Sequence, residues 1–196
     1  MKYYHRAMRT FRIVMTGCLL LSAGCARQTP REELQTIATI KDIMDSMVDP
    51  SGDFLFDSMA QIADENGIRE KAPQTDEEWA EVRRRALILL EAPNLLTMEG
   101  RKVAKPGEKA ENPQVELHPE DIQKLIDQDR PSFIRRAKRL QDAAAEVLKA
   151  AEAKDKDALF HSIESIDKAC ESCHLHYWYP NDKAAQEAAK KSGLVD

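Results

Sequence analysis

Glycine is scarce in this chain, with 7 among 196 residues, and cysteine is scarcer, with 4. So little glycine argues against a sandwich or barrel and for helices. No apolar run is long enough to cross a bilayer: the longest, residues 13–21, falls well short of the roughly 20 residues a spanning helix needs. Cysteine cannot staple the fold either. Only Cys170 and Cys173 lie beyond the first 25 residues, so the one disulfide available there joins near neighbours. No 20–50-residue period and no strand-like alternation is visible. The length allows one domain with appendages. A mean hydropathy of −0.55 and 32% charged residues describe a soluble body.

The first residues read as an address rather than as part of that body. Lys2, Arg6, Arg9 and Arg12 precede the short apolar run, and no acid accompanies them. This is the grammar of an export signal. The run ends in Leu21-Ser22-Ala23-Gly24-Cys25, which resembles a bacterial lipoprotein signal with Cys25 as the acylated residue. Ser22 stands where an aliphatic residue is usual. The expected division is a signal over residues 1–24, a tether over 25–30, a helical domain over 31–180 and a polar tail over 181–196. Several acyl chains on Cys25 would exceed the two-signal threshold for stable anchoring.

Removal of residues 1–24 takes away four cations and no acid, leaving a net charge near −9. An acidic exported protein has little electrostatic reason to bind nucleic acid, whose affinity rests on cations at phosphates. Arg83-Arg84-Arg85 therefore reads as a solvated helix face.

The body divides into four amphipathic segments. Thr29-Pro30-Arg31-Glu32-Glu33 predicts a first helix start, with Leu34, Ile37, Ile40, Met44 and Met47 on one face. Asp49-Pro50-Ser51-Gly52-Asp53 predicts its end. A short amphipathic piece follows from Phe54 to Ile62, broken at Asn66-Gly67. Thr75-Asp76-Glu77-Glu78 is a capping-box sequence opening a second helix with Trp79, Val82, Ala86, Leu89 and Leu90 inward, and Pro93 disturbs its last turns. Residues 99–118 lack periodicity and read as an exposed crossover. A short helix opens at His118-Pro119 and breaks near Arg130-Pro131. The third main helix spans about 132–153, with Phe133, Ala137, Leu140, Ala144, Val147 and Leu148 inward. The fourth spans about 155–178, and a short polar helix ends the chain. The expectation is an all-α four-helix bundle with one long crossover.

The fourth helix carries Cys170-Glu171-Ser172-Cys173-His174. Residues three and four apart share a helix face, so both thiols and the imidazole lie on one stripe. Two thiols can then add to the two vinyl groups of one haem while His174 reaches the iron. Cys-x-x-Cys-His is the pattern of c-type haem attachment. A dithiol oxidoreductase would place its cysteines at a helix start in a βαβ setting. A zinc site would need a second ligand pair, and His118, His161 and His176 are unsuitably spaced. An incidental surface pair is the bland alternative.

Late attachment in a four-helix bundle resembles the class II c-type cytochromes, the cytochrome c-prime-like family. "TIKDIMDSMVDPSGDFLF", "TDEEWAEVRRRALILL" and "CESCHLHYWYP" are similar to one exported branch of it. The resemblance implies one covalent haem c on Cys170 and Cys173, with His174 as proximal ligand and the first helix on the distal side. Members with a methionine there are six-coordinate electron carriers, whereas members with an apolar residue bind small gases. Met44 is the expected distal ligand, Met47 the next choice, and Met59 and Met98 are remote ones. Trp79, Tyr177 and Trp178 are candidates for the porphyrin edge, and Arg83, Arg84, Arg135, Arg136 and Lys41 for its propionates. Trp178 stands where the family often has a basic residue.

The function expected is single-electron transfer without bond chemistry, next to respiratory redox proteins and a membrane reached through the lipid anchor, with a homodimer possible. The alternatives are a five-coordinate protein binding NO or CO, and a non-haem structural lipoprotein.

Overall fold

Thr39 begins the first helix with a capping box: its hydroxyl accepts from the Asp42 amide and the Asp42 carboxylate accepts from the Thr39 amide. The computed structural model describes residues 34–64 and 67–193. Cys25 and the signal and tether lie outside the described residues. Helix α1, Ile40–Ile43, passes into a π-helical stretch, Met44–Val48, and then into α2, Asp49–Ser58.

Two expectations are corrected here. The helix starts at Ile40, so Leu34 and Ile37 precede it and are 76% and 85% exposed despite their helical spacing. Nor does Asp49-Pro50 stop the chain, because Pro50 lies in the first turn of α2. A proline in a helix lacks the amide of the i→i−4 bond and its ring crowds that carbonyl. Immediately before it the backbone has widened, with the Asp49 amide bonding to the Met44 carbonyl five residues back. The open turn accommodates what a regular helix would reject.

The piece expected to remain amphipathic through Ile62 also changes conformation. β1, Ala60–Asp64, pairs antiparallel with β2, Gly67–Lys71, in a register that sets Asp64 opposite Gly67. Gly67, opposite Asp64 at the start of β2, takes a φ of +114°, a conformation that glycine adopts without steric cost.

Helix α3, Asp76–Leu96, opens with the predicted box between Thr75 and Glu78 and runs through Pro93 for one more turn. α4, Pro119–Gln128, leads through Asp129, which caps the next helix, into α5, Arg130–Ala153. Lys154 turns the chain in the left-handed conformation, and Asp155 caps α6, Lys156–Tyr177. α7, Lys183–Lys191, comes last.

α3 packs on α5, α5 on α6, and α2 closes the ring against both α3 and α6. This is the four-helix bundle. Its interior is built from Val82, Ala86, Leu89, Ala144, Val147, Leu159 and Ile166, all buried. The small alanines on α5 let its neighbours approach.

The crossover is only partly the exposed loop expected. Its first stretch is folded onto the bundle: Val103 is buried, and Lys102 and Val103 present carbonyls to the amides of Ile40 and Lys41 at 2.8 and 3.0 Å. These are two of the orphan donors at the start of α1. No helix among the described residues is long and apolar enough to cross a membrane.

Candidate haem-attachment site

Leu159, Ile163, Ile166 and Ala169 bury one stripe of α6 in the bundle, and Cys170 and Cys173 continue it. Both cysteines are unbridged. Burial pushes the Cys170 thiol up to about 12, helped by neighbouring Cys173, and the Cys173 thiol up to about 11. Reactive dithiols owe their chemistry to the opposite shift, a lowered thiol pKa. These are protonated thiols on an apolar stripe, which weakens the oxidoreductase alternative.

His174 is held at the end of α6, where its carbonyl accepts from the amides of Trp178 and Tyr179 at 2.8 and 3.0 Å. Its ring lies 5.8 Å from that of Trp178 and 5.9 Å from that of Tyr179, centroid to centroid. Tyr179 is fixed in turn by donating its hydroxyl to Glu171 at 2.7 Å. Burial holds the imidazole below its ordinary pKa, against the opposing pull of Asp49, Glu171 and Glu116. A neutral imidazole is the form that ligates a metal.

Two cavities meet at this ring. One is apolar, lined by Ile40, Leu96, Phe133, Ala137 and Leu140 together with Cys170, Cys173, His174, Trp178 and Met44. The other opens under the crossover, where Val103, Ala104 and Leu117 face Met44, His174 and Trp178, with Lys41, Asp49 and Glu116 at its polar side. Met44 therefore lines both cavities with His174. Met47 lines neither, although it too packs partly against the core.

Other expected residues separate. Met59 borders a different cavity, near the hairpin and Phe160, and Met98 lies 3.1 Å from an Arg101 nitrogen. Trp79 is buried in the core away from both cavities, and Tyr177 packs edge-on against Phe133 at 5.6 Å. Arg83 and Arg84 pair with Glu152 and Glu81 on the surface. Arg135 is exposed. Only Arg136 and Lys41 line the cavities. Leu96, Val103 and Leu117 line the cavities without having been expected to; for Val103 and Leu117 the available signal was an isolated apolar side chain in a polar crossover, and Leu96 closes the apolar face of α3.

The donor chemistry fits haem c. Two thiols three apart and an imidazole border an apolar space, and a thioether faces them from another element. Among the described residues no cluster of three or more His, Cys, Asp or Glu side chains could hold a bare metal ion.

A family model described as Cytochrome C′ matches residues 109–178, from the crossover through the end of the motif. It supports a class II c-type cytochrome of the c-prime-like kind, a family that carries covalently attached haem c. No curated protein and no solved structure shows significant similarity to the chain.

Proposed function

We propose that the chain is a monohaem electron carrier in which His174 and Met44 would hold the haem iron; the match of residues 109–178 to the Cytochrome C′ family model supports a c-type haem protein. Haem c supplies a one-electron ferric–ferrous couple when bound. Cys170 and Cys173 would hold it through two thioether bonds, the thiols being the groups that can add to its vinyl groups. The observation that carries the reading is that Met44 and His174, from different elements, line the same two cavities. Methionine opposite histidine raises the potential relative to weaker ligation. The apolar lining restricts water at the iron, and the bundle fixes both ligands, which is the protein's share of the work in a cofactor protein.

Proteins of the cytochrome c′ family are generally non-enzymatic haem carriers and typically periplasmic. The carrier reading adds a tether: acylation at Cys25 holds the domain at a membrane surface and raises its effective concentration near respiratory partners.

Two spectra test the proposal on protein matured with the haem-attachment machinery. Haem colour that survives denaturation is expected, and its loss defeats covalent attachment. The reduced form is expected to be low-spin and indifferent to carbon monoxide. A high-spin form that shifts with carbon monoxide would replace the carrier with a gas-binding protein. Incorporation of labelled palmitate, abolished in Cys25→Ser, tests the tether.

A further inference from the structure

Between α5, α6 and α7 lies a half-open cavity of about 190 Å³ lined by Arg136, Arg139, Ser172, Leu175, His176, Gln186 and Lys190. Three of the lining side chains carry a full positive charge and none carries a negative one. Among the described residues, Arg136, Arg139 and Lys190 form no ion pair, although the surface elsewhere is laced with them. The acid with influence on His176 is Asp129, which spends one carboxylate oxygen capping α5 through the Ser132 amide at 3.0 Å.

Cations left together without counter-charge cost free energy through mutual repulsion. The arrangement here is also held in place. Arg136 Nη1 donates to the Ser172 carbonyl at 2.8 Å, and Nη2 lies 3.2 Å from His176 Nδ1. A guanidinium has only donors, so Nδ1 accepts and the proton of the neutral ring sits on Nε2. Gln186 is fixed by donating to the Leu175 carbonyl at 2.8 Å, which ties α7 to α6. Arg136 Nε remains buried without an acceptor. The space is many times that of one water.

We propose that this cavity binds a small tetrahedral oxyanion, of the size and charge of inorganic phosphate or sulfate. Arg139 supplies charge from α5 and Lys190 from α7, and Arg136 is oriented by its bonds to Ser172 and His176. Charge-assisted hydrogen bonds from arginine are the strong and geometrically selective kind. The site is separate from the space assigned to haem, but Arg136 borders both. Its bond to Ser172 reaches the backbone between the two attachment cysteines. An anion bound here offsets the positive charge of Arg136 beside the haem space, so it favours the ferric state and lowers the midpoint potential. That coupling rests on the carrier reading; the binding itself does not.

Calorimetric titration of the holoprotein with inorganic phosphate, at constant ionic strength, tests the site. One saturable site is expected, displaced by sulfate and not by chloride. Arg139→Gln and Lys190→Gln, both at exposed positions, each weaken it about tenfold, as loss of a charged hydrogen bond does, while the distant Arg83→Gln leaves it unchanged. Absence of saturable binding overturns the proposal, as does affinity untouched by both cavity variants. The midpoint potential, followed over the same titration, is expected to fall in the wild type and to stay level in Arg139→Gln. Each tenfold preference for the ferric form appears as about 59 mV for a one-electron couple. Binding without any movement of the potential overturns the coupling and leaves the site standing.

Discussion

Arg101, in the crossover, donates its Nη1 to the Ala38 carbonyl, one residue before the cap of α1. Its Nε donates to the Leu95 carbonyl at the end of α3, at 2.5 Å. The side chain is only 7% exposed. One guanidinium thus joins three segments that the sequence separates, and it holds the helix bearing Met44 against the bundle. Arg101→Met is expected to cost about 2 kcal/mol or more, because two carbonyls lose a charged donor. Arg101→Lys should recover little, since a single ammonium cannot span both acceptors as the planar fork does. Urea unfolding at unchanged m-value measures both; a lysine variant as stable as wild type would contradict this account.

The turn between α5 and α6 offers a gain. Lys154 takes a φ of 53°, where a β-carbon is strained and glycine is not. Its ammonium reaches Asp76 at 2.6 Å, but both side chains are largely exposed and such pairs contribute little. Lys154→Gly should therefore raise stability by about 1 kcal/mol, or a melting temperature by roughly 2–4 °C. Lys154→Ala keeps the strain and loses the pair, so it should melt at or below the wild-type temperature. The reverse order of the two variants would refute the strain argument.

Asp42 makes the start of α1 sensitive to acid. Lys105 donates to Oδ1 at 2.7 Å and the Thr39 amide to Oδ2 at 2.9 Å. The hydrogen bond from Lys105 and then those from Thr39 lower the carboxyl from 3.8 to about 2. A pKa depressed by folding stabilises the native state above the unfolded value and ceases to as pH falls through the folded one. Asp42 should therefore contribute fully above about pH 4 and lose its contribution toward pH 2. Asp42→Asn is expected to melt lower near neutrality and to show a shallower fall across that window. Parallel melting curves for the two proteins from pH 5 to pH 2 would assign the acid sensitivity elsewhere.

Where a local signal and the tertiary contacts agree, the sequence is legible. Thr75 with Glu78 and the α6 stripe are such cases, and the structure places both as expected, with Cys170, Cys173 and His174 lining one cavity. Leu34 and Ile37 show the limit. Their spacing is helical, but the actual cap, Thr39, lies beyond them, and the amides of Ile40 and Lys41 that follow it donate to the carbonyls of Lys102 and Val103, more than sixty residues away. Pro50 reads as a stop because a helix interior does not hold it, and the π turn that precedes it has no pattern in side-chain hydrophobicity. The dipeptide Asn66-Gly67 reads as a break for helix and strand alike, and whether the segments on either side pair as strands is not written in it. The cationic cavity was equally hidden: Arg136 and Lys190 are far apart in the chain and meet only because Lys154 and Gln186 fold α6 and α7 back.

The proposal of Met44 rather than Met47 rests on that π turn. In a regular helix residues three apart lie on one face, so the two thioethers would compete for the same space. The i→i+5 pattern over Met44–Val48 has a wider turn, with more residues per revolution. Three steps along it fall further short of a full revolution, so Met47 turns away from the face on which Met44 sits. The cavities record the result: Met44 lines both with His174, and Met47 lines neither. Met44→Ala is therefore expected to convert a low-spin reduced spectrum to a high-spin one that responds to carbon monoxide. Met47→Ala should leave the spectrum intact and cost about 2 kcal/mol or less of stability, as a partly buried methionine does. The two spectra, recorded on reduced protein with and without carbon monoxide, decide it. Conversion by the Met47 variant alone would show that the helix is regular once haem is bound, and the distal ligand would then be Met47.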